Sequence, residues 1–203
     1  MNTGIRQLIW GAGLLLGLST QTASADLINT DFSSGFSGWR AEIISFNYPS
    51  GMDSSETGNI FNQFSDNFSL SDNGVTLTTS SDAMNDYWSV SMFQEVMLSE
   101  DIQTLSLNLQ ASVTDAATDL FYVQLRDLST NDAIDLTAGG QFDISLWAGQ
   151  WVSLEFGVMD FDFIPADSIT VSDISLSYAS VPAPATGVLL MVGALAALRR
   201  KTY

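Results

Sequence analysis

The side chains able to do chemistry in this chain are almost all carboxylates. There are 18 aspartates and five glutamates, every one of them between Asp26 and Asp173. Histidine and cysteine are absent. Imidazole and thiolate zinc ligands, His-based triads and thiolate nucleophiles are therefore excluded. The only lysine, Lys201, stands near the end of the chain, so serine chemistry also lacks a base. A carboxylate pair at a defined separation can hydrolyse glycosides, but no motif singles out one pair among so many acids, and catalysis is not expected. The excess of Asp over Glu has three readings. Asp favours turns, Asp-rich loops supply oxygen ligands for Ca²⁺, and acidic surfaces suit high salt.

Aromatic rings are the other candidate binding groups. Tyr87 and Trp88 lie between Asn85-Asp86 and a serine, and Trp147 lies close to Gly149. Such rings can stack on the C–H face of a sugar while neighbouring polar groups take its hydroxyls. Adjacent strand residues point to opposite faces, so at most one of Tyr87 and Trp88 faces a core. Trp39 and Trp151 are expected to be core residues. Within the acidic span only Arg40 and Arg126 are basic, which makes it more negative than the −17 of the whole chain. Such a field repels nucleic acid and attracts cations.

The elements that must position these groups are strands. Period two runs through Thr104–Gln110, through Phe121, Val123 and Leu125, through Phe142, Ile144 and Leu146, and through Val152, Leu154, Phe156 and Val158. Turn residues separate these runs at Asp72-Asn73-Gly74, Ser99-Glu100-Asp101, Ser129–Asp132, Gly139-Gly140 and Ala148-Gly149. Short alternating strands without helical patterns predict an all-β, antiparallel sandwich over residues 26–179. A span of about 150 residues is enough for one core without disulfides. Residues 49–66, rich in Ser, Asn, Asp and Gly, read as a long surface loop. In the last strand, Ile169 and Val171 alternate, and so do Ile174, Leu176 and Tyr178, but the step between the two sets is three. A β-bulge at Ser172-Asp173 would restore the core face.

Residues 1–25 combine Arg6, an apolar run from Leu8 to Leu18 and a small-x-small site at Ala23-Ser24-Ala25. This is the pattern of a secretory signal peptide cleaved after Ala25. Residues 180–203 contain Val181-Pro182-Ala183-Pro184, an apolar stretch from Gly187 to Leu198 and the basic cluster Arg199-Arg200-Lys201. The prolines end any strand, the apolar stretch suits a short transmembrane-type helix, and the basic residues stay on the cytoplasmic side.

That tail resembles a PEP-CTERM sorting signal, whose central residue is usually Glu where this chain has Ala183. The resemblance implies an exosortase-like membrane processing enzyme as partner, alongside the secretion machinery. The chain would be held briefly at the inner membrane and then released to the cell surface or outside the cell. The middle resembles jelly-roll carbohydrate-binding modules and their galactose-binding-like relatives. The likeness rests on Asn29-Thr30-Asp31-Phe32 followed by Gly38-Trp39, and on a closing strand from Val171 to Leu176. This second resemblance implies a structural Ca²⁺ held by the first and last strands, with Asp31 and Asp173 at the matching positions. The expectation is an exported, non-catalytic surface or matrix protein associated with exopolysaccharide. The alternatives are a Ca²⁺-dependent glycan-binding module and an enzyme acting on polysaccharide.

Overall fold

The computed structural model describes residues 26–180. Ala23 and Ala25 of the leader, and Val181, Pro182, Ala183 and Pro184 of the sorting motif, lie outside the described residues. Twelve strands run in chain order: β1 Arg40–Asn47, β2 Met52–Gly58, β3 Phe68–Ser71, β4 Gly74–Thr78, β5 Ser80–Ser81, β6 Asn85–Met97, β7 Ile102–Ser112, β8 Leu120–Asp127, β9 Ala133–Asp135, β10 Gly140–Asp143, β11 Trp151–Met159 and β12 Ser168–Tyr178. They form two sheets with every pairing antiparallel. The larger follows the order β2-β1-β6-β11-β8-β9, with β5 also on β6, and the smaller follows β10-β7-β12-β4-β3. From β6 onward the chain passes repeatedly between the sheets, as in a jelly roll. This is the all-β sandwich that the alternation predicts.

The core lies between the inward faces. Val152, Leu154, Phe156 and Val158 of β11 are fully buried, and across from them lie Leu105 and Leu107 of β7, Val75 and Leu77 of β4, and Ile169 and Val171 of β12. The segment before β1 seals part of this layer. Trp39 is buried as expected, its ring 5.3 Å from Phe32 and 5.5 Å from Phe156, and its indole N–H donates to the Asn29 carbonyl at 3.2 Å. The bulge in β12 is present. Ser172 pairs with Asn108 and Ser175 with Ser106, so three steps on β12 match two on β7. Asp173 takes the left-handed conformation (φ 53°), and Ile174 is returned to the core.

The turns explain much of the Asp excess. Asp31, Asp82, Asp115, Asp127, Asp135, Asp143 and Asp162 each accept a hydrogen bond from the backbone N–H two residues on, at 2.6–3.1 Å. Glu, one methylene longer, does not favour this local closure, so turn chemistry selects Asp.

Four sequence expectations require correction. Residues 49–66 are not one loop, because 52–58 form the edge strand β2. All but the last residue of β2 is exposed, so backbone pairing to β1 holds it and no apolar alternation betrays it. The run through Leu146 stops at Asp143, whose carboxylate takes the Ser145 N–H and starts a 3-10 turn over Ser145–Trp147; Leu146 is 88% exposed. Trp151 is not core but 57% exposed, since the strand that turns Val152 inward must turn its neighbour outward. Tyr178 lies beyond the edge of the core and is exposed.

The same parity makes a stability prediction. Leu154→Ala should lower the urea-unfolding free energy by about 2–5 kcal/mol. Trp151→Ala should cost clearly less, and a reversed ranking would contradict this assignment of faces.

Candidate functional site

The register that builds the core also builds a trough on the outer face of the larger sheet. On the two central strands the outward positions carry small residues: Ser91 on β6, and Ser153 and Gly157 on β11. Larger side chains rise around them. Glu42 on β1 pairs with Ser91, Phe93 pairs with Glu155, and Tyr122 on β8 pairs with Gly157. The result is a depression of about 210 Å³ lined by Glu42, Phe93, Glu95, Tyr122, Arg126 and Glu155, among others. Gly157 is required here. A Cβ at this position would lie 2.7 Å from the Tyr122 ring, so only glycine lets that ring settle over the strand.

The polar groups of the trough are held in place before any ligand arrives. Arg126 donates to Glu155 through Nε at 3.0 Å and through a second guanidinium nitrogen, and it also reaches Asn131 Oδ1 at 3.2 Å. Gln124 donates to the other Glu155 oxygen at 2.8 Å. Burial opposes the charge on Glu155, but the Arg126 guanidinium and Gln124 amide prevail and hold its carboxyl below the ordinary value. Burial raises the Tyr122 phenol, which keeps its proton for hydrogen bonding. Glu42 accepts from Ser55 at 2.8 Å, and the Arg40 guanidinium lies 5.3 Å from the centre of the Phe93 ring. Fixed planar polar groups beside ring faces suit a polyhydroxylated ligand. A roomier hollow of about 430 Å³ on the smaller sheet, around Asn108, Gln110 and Gly139, has no aromatic lining.

None of the sequence-selected residues lines the trough. Tyr87 is half-buried, its hydroxyl donating to Asp82 at 2.9 Å and its ring 5.6 Å from Phe64. Trp88 donates to Asp53 at 3.2 Å, and its ring lies 5.5 Å from Phe161. Trp147 sits in the 3-10 turn, partly buried against the core. Asp31 is exposed and bonded to Ser33, whereas Asp173 is exposed and accepts from Asn108 at 2.8 Å, so the two share no hydrogen-bond partner. One signal for the trough was present in the sequence. The outward positions of Val152–Val158 are Ser153, Glu155 and Gly157, small or planar where an ordinary exposed strand face carries bulk.

A second feature also escaped sequence reasoning. Asp119, which precedes β8, meets Asp160 and Asp167 from the connection between β11 and β12, with one carboxylate oxygen from each within 4.8 Å of the others. All three are buried, at 3%, 0% and 0% exposure. Burial and the neighbouring Asp162 carboxyl push Asp160 up to about 6. Burial also opposes charge on Asp119, but backbone N–H groups of Asp115 and Phe161, each at 3.0 Å, hold it below the ordinary carboxylate range. Asp119 stands more than 40 residues before Asp160 and Asp167, so no local motif joins all three.

No family model and no curated protein matches the chain. Among solved structures, the chain is similar to the carbohydrate-binding module TmCBM61, determined in complex with β-1,4-galactotriose. The two share 14% identity at a TM-score of 0.43, and the match covers 75% of this chain and 97% of that one.

The Glu155 environment sets a pH dependence. A carboxyl whose folded value lies below its unfolded 4.5 contributes stability that is complete above 4.5 and is lost as pH falls through the folded value. Glu155→Gln should therefore be less stable than the unaltered protein at pH 7. The two should converge as pH falls from 4.5 through the lower folded value in urea titrations at a series of pH values.

Proposed function

We propose that this is an exported, non-catalytic glycan-binding protein of the cell surface or extracellular matrix, with the trough on the larger sheet as its ligand face. The observation that carries this reading is the preset pairing of two rings, Phe93 and Tyr122, with the Arg126–Glu155–Gln124 network across small-residue strands. Ring faces supply apolar contact to sugar C–H groups, and the fixed carboxylate, amide and guanidinium discriminate among hydroxyls. Three glutamates against one arginine in the lining disfavour anionic polymers, so the ligand class is a neutral polysaccharide. Glu155, kept ionised by Arg126, is a poor general acid, which argues against glycoside hydrolysis from this face.

Affinity electrophoresis against soluble neutral polysaccharides tests the reading. Retardation by at least one of them should fall about tenfold or more in Tyr122→Ala, the loss of roughly one stacked ring. Trp88→Ala should behave like the unaltered protein. Loss of retardation in Trp88→Ala alone would move the ligand face to the other end of β6.

The export part rests on the sequence at the two ends. Cleavage after Ala25 would start the mature chain at Asp26, and processing near Val181–Pro184 would remove the apolar tail. Mass spectrometry of the protein from its native cells should find Asp26 at the N-terminus and no peptide from Gly187 onward. Full-length product from Met1 to Tyr203 in the cytosol would overturn this part while leaving the trough untouched.

A further inference from the structure

We propose that Asp119, Asp160 and Asp167 form a site for one hard divalent cation, Ca²⁺ by ligand chemistry, tying the β7–β8 connection to the β11–β12 connection. The inference is independent of the glycan reading.

Among the described residues the cluster has no counter-charge. Three carboxylates converge in a place without solvent access. The described residues contain only two basic side chains. Arg40 lies over Phe93 and Arg126 is bonded to Glu155 and Asn131, both on the outer face of the larger sheet. No protein cation is therefore left to neutralise the cluster. Buried charge without a partner is among the costliest arrangements a fold can contain.

Hydrogen bonding marks the same place independently of charge. Asp160 uses one oxygen to accept from the Ile164 N–H at 3.2 Å, and Asp167 uses one to accept from the Thr114 N–H at 2.6 Å. The remaining oxygen of each, Oδ2, is buried and accepts nothing. Buried polar atoms are nearly always satisfied, so two orphan oxygens in one carboxylate cluster mark the place of a missing partner. One small electropositive ion would satisfy both oxygens and offset the three charges together. Ca²⁺ binds oxygens at about 2.3–2.6 Å, so oxygens on one ion lie up to about 5 Å apart, in keeping with the 4.8 Å spread here.

The ligands are also held in advance. The Asp167 N–H donates to Thr79 Oγ1 at 3.1 Å and its carbonyl accepts from the Thr79 N–H at 2.9 Å, while the Asp160 N–H donates to the Trp88 carbonyl at 2.8 Å. Asp119 receives the N–H groups of Asp115 and Phe161, which directs its carboxylate across the two connections. A cation would complete a scaffold that the strands already align.

Thermal unfolding and calorimetry on chelator-stripped protein, titrated with CaCl₂ at pH 7.5, test the proposal. One equivalent of Ca²⁺ should bind and raise Tm by several degrees, because a ligand bound only by the native state must stabilise it. Asp160→Asn, equal in volume and still able to accept from Ile164, should abolish both the heat of binding and the Tm shift. Asp167→Asn serves as a second variant should the first fail to fold. Asp173→Asn should retain the full response. No binding by the unaltered protein at millimolar Ca²⁺, or loss of the response in Asp173→Asn but not in Asp160→Asn, would overturn the assignment. A response to MgCl₂ as large as that to CaCl₂ would overturn the choice of ion.

Discussion

One strand register carries most of this molecule, the antiparallel pairing of β6 with β11. Val152 faces Val96, Phe156 faces Met92 and Val158 faces Val90, all turned inward to the apolar layer. The intervening pairs, Glu155 with Phe93 and Gly157 with Ser91, turn outward, and Glu155, Phe93 and Ser91 line the trough. Because side chains alternate strictly, a slip of one residue would bury Glu155 and expose Phe156 together. Core and trough are therefore fixed by a single set of backbone bonds. The many kilocalories gained by burying the inner face also hold the outer groups in position.

The second constraint is the scarcity of positive charge. With only Arg40 and Arg126 to offset so many acids, the fold cannot neutralise its carboxylates by ion pairing, and Arg126–Glu155 is the one salt bridge among the described residues. Backbone N–H groups do the work instead. Turn aspartates such as Asp31, Asp127 and Asp135 are held below the ordinary carboxylate range by the N–H and hydroxyl groups of the residue two positions on. Where that supply runs short, at Asp86, Asp160 and Asp167, buried carboxylate oxygens are left over, two of them in one cluster. In the acid cluster the local solution fails twice in one place.

Local periodicity and turn chemistry were legible in the sequence because they act between near neighbours. The alternation of β7, β8 and β11, the turns at Asp72-Asn73-Gly74 and Ser129–Asp132, and even the bulge at Ser172-Asp173 follow from the spacing of apolar residues and from the reach of an Asp side chain. The same reading overlooked β2, whose side chains are nearly all exposed and which adheres through its backbone alone. Tyr87 and Trp88 stand out by residue type, but a register shift between β1 and β6, from Ile44–Ser89 to Phe46–Asp86, interrupts the alternation just there.

The trough and the carboxylate cluster were decided only by tertiary structure. Phe93, Tyr122 and Glu155 come from three strands that are neighbours in space through pairing order, and chain order does not reveal which strands pair. Asp119 and Asp167 meet because crossings between sheets bring two connections to one place. The sequence by itself determined the class of fold, the acidic character and the chemistry excluded by the absence of His and Cys. Those properties depend on composition and near neighbours, whereas a site depends on distances between residues far apart in the chain, which exist only once the sheets have closed on their common core.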